Sequence, residues 1–144
     1  MPSVTQWIRL YKFPILRQIA RRVVYIKGAD IPCSVKIAKA VSFPHNALGT
    51  VIHPFTSIHS KAKIYQNVTI GRGDIWNPYD PENGLSFEIG EGAILCAGCK
   101  VIASKGKLSV GKNTIVAANA VLLESTGENE VWGGIPARKL KNRY

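Results

Sequence analysis

The stretch IHPFTSIHSKAKIYQNVTIGRGDI, residues 52–75, consists of four six-residue units that each begin with isoleucine. The same spacing continues in both directions, and thirteen such units lie between residues 31 and 127. An α-helix repeats every 3.6 residues and a flat strand every two, so neither explains a period of six. A six-residue period is typical of a parallel β-helix, in which three short strands and three turns form one coil. The sequence therefore predicts an all-β solenoid with coils of about 18 residues.

In such a coil the residue that opens each unit points inward and stacks on its equivalent about 4.8 Å along the axis. A small residue usually occupies the fifth position, where the chain turns a corner. Cys96 and Cys99 occupy the second and fifth positions of the unit LCAGCK. A zinc site needs further ligands and a redox site needs a helix, so we interpret both cysteines as ordinary solenoid residues and predict no metal site.

Three interruptions break the repeat, at residues 49–51, 76–88 and 107–109. Insertions in a solenoid form loops on its faces. The longest, WNPYDPENGLSFE (76–88), has two prolines, a glycine and three aromatic residues, and predicts an ordered external loop. We expect a helical cap over residues 1–29, the β-helix over 30–127 and a closing segment over 128–144.

The N-terminal segment is basic and amphipathic. Its stretch LRQIARRVVYI, residues 16–26, has apolar residues at helical spacing, and Pro14 predicts a division into two short helices. Residues 1–30 carry six Lys and Arg against one acid, half of the net charge of +10, which favours anionic partners. A helix here either caps the first coil or lies on a membrane surface. No secretory signal and no nucleic-acid-binding motif is evident, so we expect a cytoplasmic protein that binds no nucleic acid, with peripheral membrane contact as the alternative role of this segment.

Residues 30–140 resemble the hexapeptide-repeat acyltransferases with a left-handed β-helix, and specifically their serine acetyltransferase-like branch. The stretches that carry the resemblance are DIPCSVKIAKAVSFPH (30–45), GTVIHPFTSI (49–58), IYQNVTIG (64–71) and the closing VWGGIPARKL (131–140). The resemblance implies an enzyme that transfers an acetyl group from acetyl-CoA to a hydroxyl group, and it implies a homotrimer.

An acid directly before the first unit and a histidine fifteen residues later, Asp30 and His45, match the catalytic dyad of that family. In a coil of about 18 residues they would lie three positions out of register, so we expect their side chains to be close. A neutral imidazole is a competent general base near pH 7, and a carboxylate on its other nitrogen fixes the tautomer. His53 and His59 stand at the second position of their units, so we expect them to face solvent without a role.

The resemblance also places acetyl-CoA along the solenoid, between neighbouring subunits. The small residues that match this site are Gly71, Ala97 and Ala117. Basic residues that would meet the CoA phosphates are Arg72, Lys112 and Arg138. Small residues are also what the corners of any such coil require, so this assignment depends on the resemblance.

The acceptor is predicted from departures from the family. Serine acetyltransferases have an acid before the catalytic histidine, where this chain has Pro44, and an Arg-His pair where it has Leu85 and Ser86. We therefore predict an uncharged saccharide acceptor, as in the polysaccharide O-acetyltransferases, bound by Trp76, Asn77 and Tyr79, with Phe87 also in the loop. Equally, the aromatic residues and prolines could serve only to hold the loop. The alternatives are a serine or small-alcohol acetyltransferase and a catalytically silent scaffold.

Overall fold

The computed structural model describes all 144 residues and shows a three-sided parallel β-helix. Up to the twelfth strand, consecutive strands belong to different sheets, so the chain winds around a common axis. The first sheet contains β1 (Lys36–Ile37), β3 (Thr56–Ile58), β6 (Ser86–Ile89) and β9 (Lys107–Val110). The second contains β4 (Lys63–Ile64), β7 (Ile94–Leu95), β10 (Ile115–Val116), β12 (Glu130–Gly134) and β13 (Ala137–Asn142). The third contains β2 (Val51–Ile52), β5 (Thr69–Arg72), β8 (Lys100–Ala103) and β11 (Val121–Leu122).

The interior is a stack of the residues that open the six-residue units. Twelve of the thirteen are buried and Ile37 is half-buried. Each buried aliphatic side chain contributes about 1.5–3 kcal/mol through removal of apolar surface from water. Cys99 also lies in this core, and its burial raises the pKa of the thiol to about 12. The predicted inward orientation of the opening residues is therefore confirmed.

The coils differ in length because of the insertions. Lys36 pairs with Ser57, Ser57 with Glu88 and Glu88 with Ser109, so the successive coils contain 21, 31 and 21 residues. The excess over 18 residues equals the lengths of the three interruptions in the repeat. The predicted bounds of the second and third interruptions were shifted, however, because β6 already begins at Ser86 and β9 at Lys107. The external loop spans residues 73–85, and the short one spans 104–106.

Short helices cover the first coil. Helix α1 (Val4–Ile8) is followed by a 3₁₀ turn (Arg9–Lys12) and helix α2 (Arg17–Ile26), with Pro14 between the two α-helices. Side chains of both helices pack into the main core: Val4, Ile8 and Val24. No helix is long and apolar enough to cross a membrane. The helices therefore shield the open end of the β-helix from water, as a solenoid requires.

The last strands close the opposite end. Strand β12 pairs in parallel with β10, through Ile115 and Val131, and then turns back into β13, with which it pairs antiparallel. Trp132 is buried, and its indole N–H donates to the Glu130 carboxylate at 2.8 Å. The parallel stacking of coils thus ends in a hairpin.

Candidate active site

His45 is carried by a turn with an uncommon backbone conformation. His45, Asn46 and Ala47 have φ angles of 53°, 56° and 51°, in the left-handed region that residues with a side chain seldom adopt. The Asn46 side chain accepts a hydrogen bond from the Val4 N–H at 3.2 Å, so helix α1 helps to hold this turn. Three such residues in a row are a form of strain that clusters at functional sites. The turn leaves His45 exposed, beside the Tyr65 ring at 6.3 Å between centroids.

Asp30 lies at the point where the chain enters the first coil. Its N–H donates to the Thr50 carbonyl at 2.9 Å, and the Thr50 N–H in turn donates to the Ala47 carbonyl at 2.8 Å. The backbone therefore connects Asp30 to the His45 turn through a single residue. The half-exposed Asp30 carboxylate lies 3.7 Å from the Arg21 guanidinium of helix α2.

Neither ring nitrogen of His45 forms a hydrogen bond within the chain, and its pairing with Asp30 stays a prediction. The coil that contains both residues has 21 residues, since Asp30 pairs with Val51, and not the 18 on which their expected register was based. The three additional residues lie between Ser42 and Val51, because Ser42 pairs with Lys63 and Val51 with Thr69. The insertion therefore falls in the segment that contains His45 and gives its turn an unusual shape.

The other two histidines have partners that the sequence did not indicate. His53 was predicted to face solvent, but its ring lies 5.5 Å from the rings of Phe55 and Phe87. Burial lowers the pKa of His53, and the nearby Arg72 lowers it further. His59 is exposed, and its Nε2 lies 2.9 Å from Glu88. Lys107 and His59 hold the pKa of Glu88 below its ordinary value.

Arg72 supports the external loop. Its Nε lies 3.0 Å from the Asp74 carboxylate, and its Nη2 donates to the carbonyls of Asp74 at 3.0 Å and Asn77 at 2.6 Å. Its guanidinium also lies 5.9 Å from the centre of the Tyr79 ring. Only 14% of the side chain is exposed. Arg72 was predicted to bind CoA phosphates, but its donors are instead directed into the loop.

The loop aromatic residues fall into two groups. Trp76 is 77% exposed and Tyr79 48% exposed, so both present ring surface to solvent. Phe87 is in strand β6 and is buried in the core, so its predicted place in the loop was wrong. The backbone carbonyl of Asn77 is bound by Arg72. Arg72 of β5 therefore holds this part of the loop, whereas the ring of Trp76 faces solvent.

Replacing Arg72 with alanine is expected to loosen this loop. A hydrogen bond to a charged group contributes about 1.5–3 kcal/mol, and Arg72 makes two such bonds to carbonyls. We expect amide hydrogen exchange within residues 73–85 to accelerate by at least about tenfold. Exchange measured by mass spectrometry checks this, with Lys63→Ala as the control because Lys63 is an exposed cation with no ion pair. Equal exchange rates in both variants would contradict the role of Arg72 in holding the external loop.

A groove beside one corner of the β-helix contains part of the predicted CoA site. It encloses about 430 Å³ and includes Ala97. Its other lining residues are Asn67, Gly98, Lys100, Ala118, Asn119, Val121 and Ile135. Ala118 therefore takes the place predicted for Ala117, whose N–H donates to the Trp132 carbonyl. Gly71 lies in β5, paired with Ile102, and is not among the lining residues.

Lys100 is the basic residue of this groove, and the sequence did not single it out. Its Nζ donates to the Asn67 carbonyl at 2.8 Å. The predicted cations lie elsewhere: Lys112 is 3.8 Å from Glu91, and Arg138 is 3.0 Å from Glu124. Both pairs are exposed, and such pairs contribute only about 0–1 kcal/mol, so either cation can exchange its partner for a phosphate.

Two comparisons with known proteins found similar chains. The serine acetyltransferase of Staphylococcus aureus is 29% identical over 131 residues, which cover 90% of this chain and 57% of that protein. A putative serine acetyltransferase of Schizosaccharomyces pombe is 31% identical over 111 residues, which cover 77% of this chain and 38% of that protein. This chain thus spans about half the length, or less, of the curated relatives it matches. No family model matches it.

Solved structures agree in fold. A truncated serine acetyltransferase apoenzyme superposes with a TM-score of 0.79 and 25% identity, over 95% of this chain and 56% of that one. The serine acetyltransferase of Brucella abortus in complex with coenzyme A superposes with a TM-score of 0.76 and 22% identity, over 98% of this chain and 54% of that one. The predicted left-handed β-helix with a small N-terminal helical segment is confirmed, and its similarity is to serine acetyltransferases.

Proposed function

We propose that this chain is an acetyl-CoA-dependent O-acetyltransferase. The observation that carries the proposal is the similarity to serine acetyltransferases over 90% of the chain. A fold neighbour crystallised with coenzyme A supports acetyl-CoA as the co-substrate. The exposed His45, held on a strained turn and with no hydrogen bond to its ring nitrogens within the chain, supplies a base that an acceptor can reach.

The reaction requires one proton transfer and one new bond. His45 removes the proton from the acceptor hydroxyl while its oxygen attacks the thioester carbonyl carbon of acetyl-CoA. Collapse of the tetrahedral intermediate breaks the carbon–sulfur bond, and the imidazolium returns the proton to the departing thiolate. Asp30, one residue from the His45 turn through the backbone, would stabilise the imidazolium once its carboxylate turns from Arg21.

We place the pantetheine arm of acetyl-CoA along the groove at Ala97 and Ala118, where small side chains let it approach the backbone. Lys100 lies in the same groove, and Arg138 can turn from Glu124 towards a phosphate. A homotrimer would place this groove against a neighbouring copy. A shared cleft of this kind would cover exposed side chains such as Ile135, which is 75% exposed.

L-serine is the first acceptor to test, because the relatives are named serine acetyltransferases. A saccharide is the second candidate, favoured by two features of this chain. Pro44 provides no charge for a substrate ammonium group beside His45. Trp76 and Tyr79 expose aromatic faces of the kind that stack on the apolar face of a sugar ring.

The test is thiol release from acetyl-CoA by the purified protein, with L-serine and with sugars, nucleotide sugars and oligosaccharides in parallel. Turnover with serine supports the first acceptor, and turnover with a saccharide alone supports the second. No turnover, together with no binding of acetyl-CoA, would contradict the proposal and favour a silent scaffold.

Replacing Trp76 with alanine tests the saccharide acceptor. Loss of an exposed stacking face should raise the acceptor KM by about tenfold and leave the KM for acetyl-CoA unchanged, since aromatic contacts of this kind contribute about 0.5–1.5 kcal/mol beyond burial. Steady-state kinetics with each substrate varied in turn checks this. An equal rise in both constants would contradict a specific role of Trp76 in acceptor binding.

A further inference from the structure

The N-terminal helices expose an apolar surface that nothing in the chain covers. Side chains of helix α2 and of the turn before it are exposed by between 42% and 87%. These residues are Phe13, Ile15, Leu16, Ile19 and Ile26, and we call them the apolar face. Ala20 and Val24, on a different side of α2 from Ile19 and Ile26, are fully buried and anchor the helix to the body of the protein.

Basic residues surround the apolar face without acidic partners nearby. Residues 1–29 include no Asp or Glu but six Lys and Arg: Arg9, Lys12, Arg17, Arg21, Arg22 and Lys27. Of these six only Arg21 forms an ion pair, with Asp30. The face is thus an apolar strip within a uniformly positive field. This distribution is complementary to a surface that is apolar inside and anionic outside.

A cavity of about 570 Å³ lies between the 3₁₀ turn, which precedes the apolar face in the chain, and the first coil. Its walls are mainly apolar and include Ile8, Tyr11 and Phe43. Three cations are also among the lining residues: Arg9, Lys12 and Lys39. Apolar surface and positive charge are therefore combined in a second place in the N-terminal region.

We propose that the apolar face docks on a lipid bilayer that contains anionic lipids. Helix α2 would lie in the plane of the interface, with Ile15, Ile19 and Ile26 among the acyl chains and the guanidinium groups at the headgroups. The proposed contact is peripheral, with the helix at the bilayer surface. This proposal does not depend on the proposed acetyltransferase activity, because it uses none of the site residues.

Co-sedimentation of the full chain with vesicles tests the proposal. The probes are phosphatidylcholine vesicles and vesicles of equimolar phosphatidylcholine and phosphatidylglycerol. We expect binding to the anionic vesicles that weakens as salt is raised, and little binding to the neutral ones. Equal binding to both, or binding to neither, would overturn the proposal.

A matched pair of variants locates the contact. Ile15→Glu with Ile26→Glu alters side chains that are 87% and 83% exposed. Ile75→Glu with Leu123→Glu makes a similar chemical change where the side chains are 77% and 54% exposed, away from the helices. We expect the first variant to lose at least about tenfold in vesicle affinity and the second to retain it. Equal affinity of the two variants would overturn the assignment to this face.

A second pair separates charge from apolar contact and from folding. Arg17→Gln with Arg22→Gln should weaken binding to anionic vesicles more than Lys105→Gln with Lys141→Gln, although the net charge changes equally. Circular dichroism verifies that all variants are folded. Sedimentation velocity without lipid tests whether the apolar face instead binds a second copy of the chain. If Ile15→Glu with Ile26→Glu dissociates an oligomer and the wild type binds no vesicles, the face is a protein interface and the proposal is wrong.

Discussion

Replacing His45 with alanine is expected to lower kcat by about 10²–10⁴-fold, the usual contribution of a positioned general base. The loss should fall on kcat, because the imidazole acts on the proton that moves in the transition state. The exposed position of His45 means that its removal creates no cavity, so the variant should unfold at the wild-type temperature. Thiol release under saturating acetyl-CoA measures the rate, and direct binding of CoA measures the co-substrate site.

His59→Ala is the matched control for this experiment. His59 is also exposed, but its partner is Glu88 on the first sheet, so its loss should leave kcat within about twofold. Unchanged kcat in the His45 variant would eliminate His45 as the base. A rise in the KM for acetyl-CoA alone, with kcat retained, would instead assign the residue to binding.

The largest effect on stability is expected from Leu122→Ala. Leu122 is fully buried at the start of the last six-residue unit and pairs with Val101 in the coil below. Truncation of a buried leucine removes transfer free energy and leaves a cavity, and it typically costs 2–5 kcal/mol, so we expect a destabilisation of about this size.

Leu123→Ala is the control, since the next residue in the chain is 54% exposed. The same substitution there should change the free energy of unfolding by less than about 0.5 kcal/mol. Urea denaturation of both variants provides the comparison. Equal destabilisation by the two substitutions would mean that the alternation of inward and outward side chains is wrong in this coil.

The repeat could be predicted from the sequence because every unit has to meet the same structural requirement. A six-residue unit needs one inward aliphatic residue and one compact corner, and Ile64, Leu95 and Val116 satisfy this requirement in successive coils. Even the lengths of the insertions followed, because every residue that breaks the spacing must leave the coil. The exact ends of the insertions did not follow, since β6 and β9 extend over Ser86 and Lys107 through backbone hydrogen bonds that any side chain permits.

The candidate site was less predictable because its polar side chains can each form hydrogen bonds with several different partners. Arg72 could bind a phosphate or loop carbonyls, and only the folded loop shows that it binds the carbonyls of Asp74 and Asn77. Lys100 was not predicted as a site residue because other six-residue units in this sequence also end in lysine. Ala118 and not Ala117 lines the groove, and successive residues of an extended chain point to opposite sides.

The hairpin of β12 and β13 limits how the edge of the second sheet can pair with other molecules. A parallel β-helix without it would end on the exposed edge of β10, whose unpaired amides and carbonyls would be a template for strands of another molecule. Strand β12 covers that edge, and the new outer strand β13 carries Arg138, Lys139 and Lys141, whose like charges disfavour pairing with an identical edge. On this sheet the hairpin therefore opposes the addition of strands from further copies of the chain.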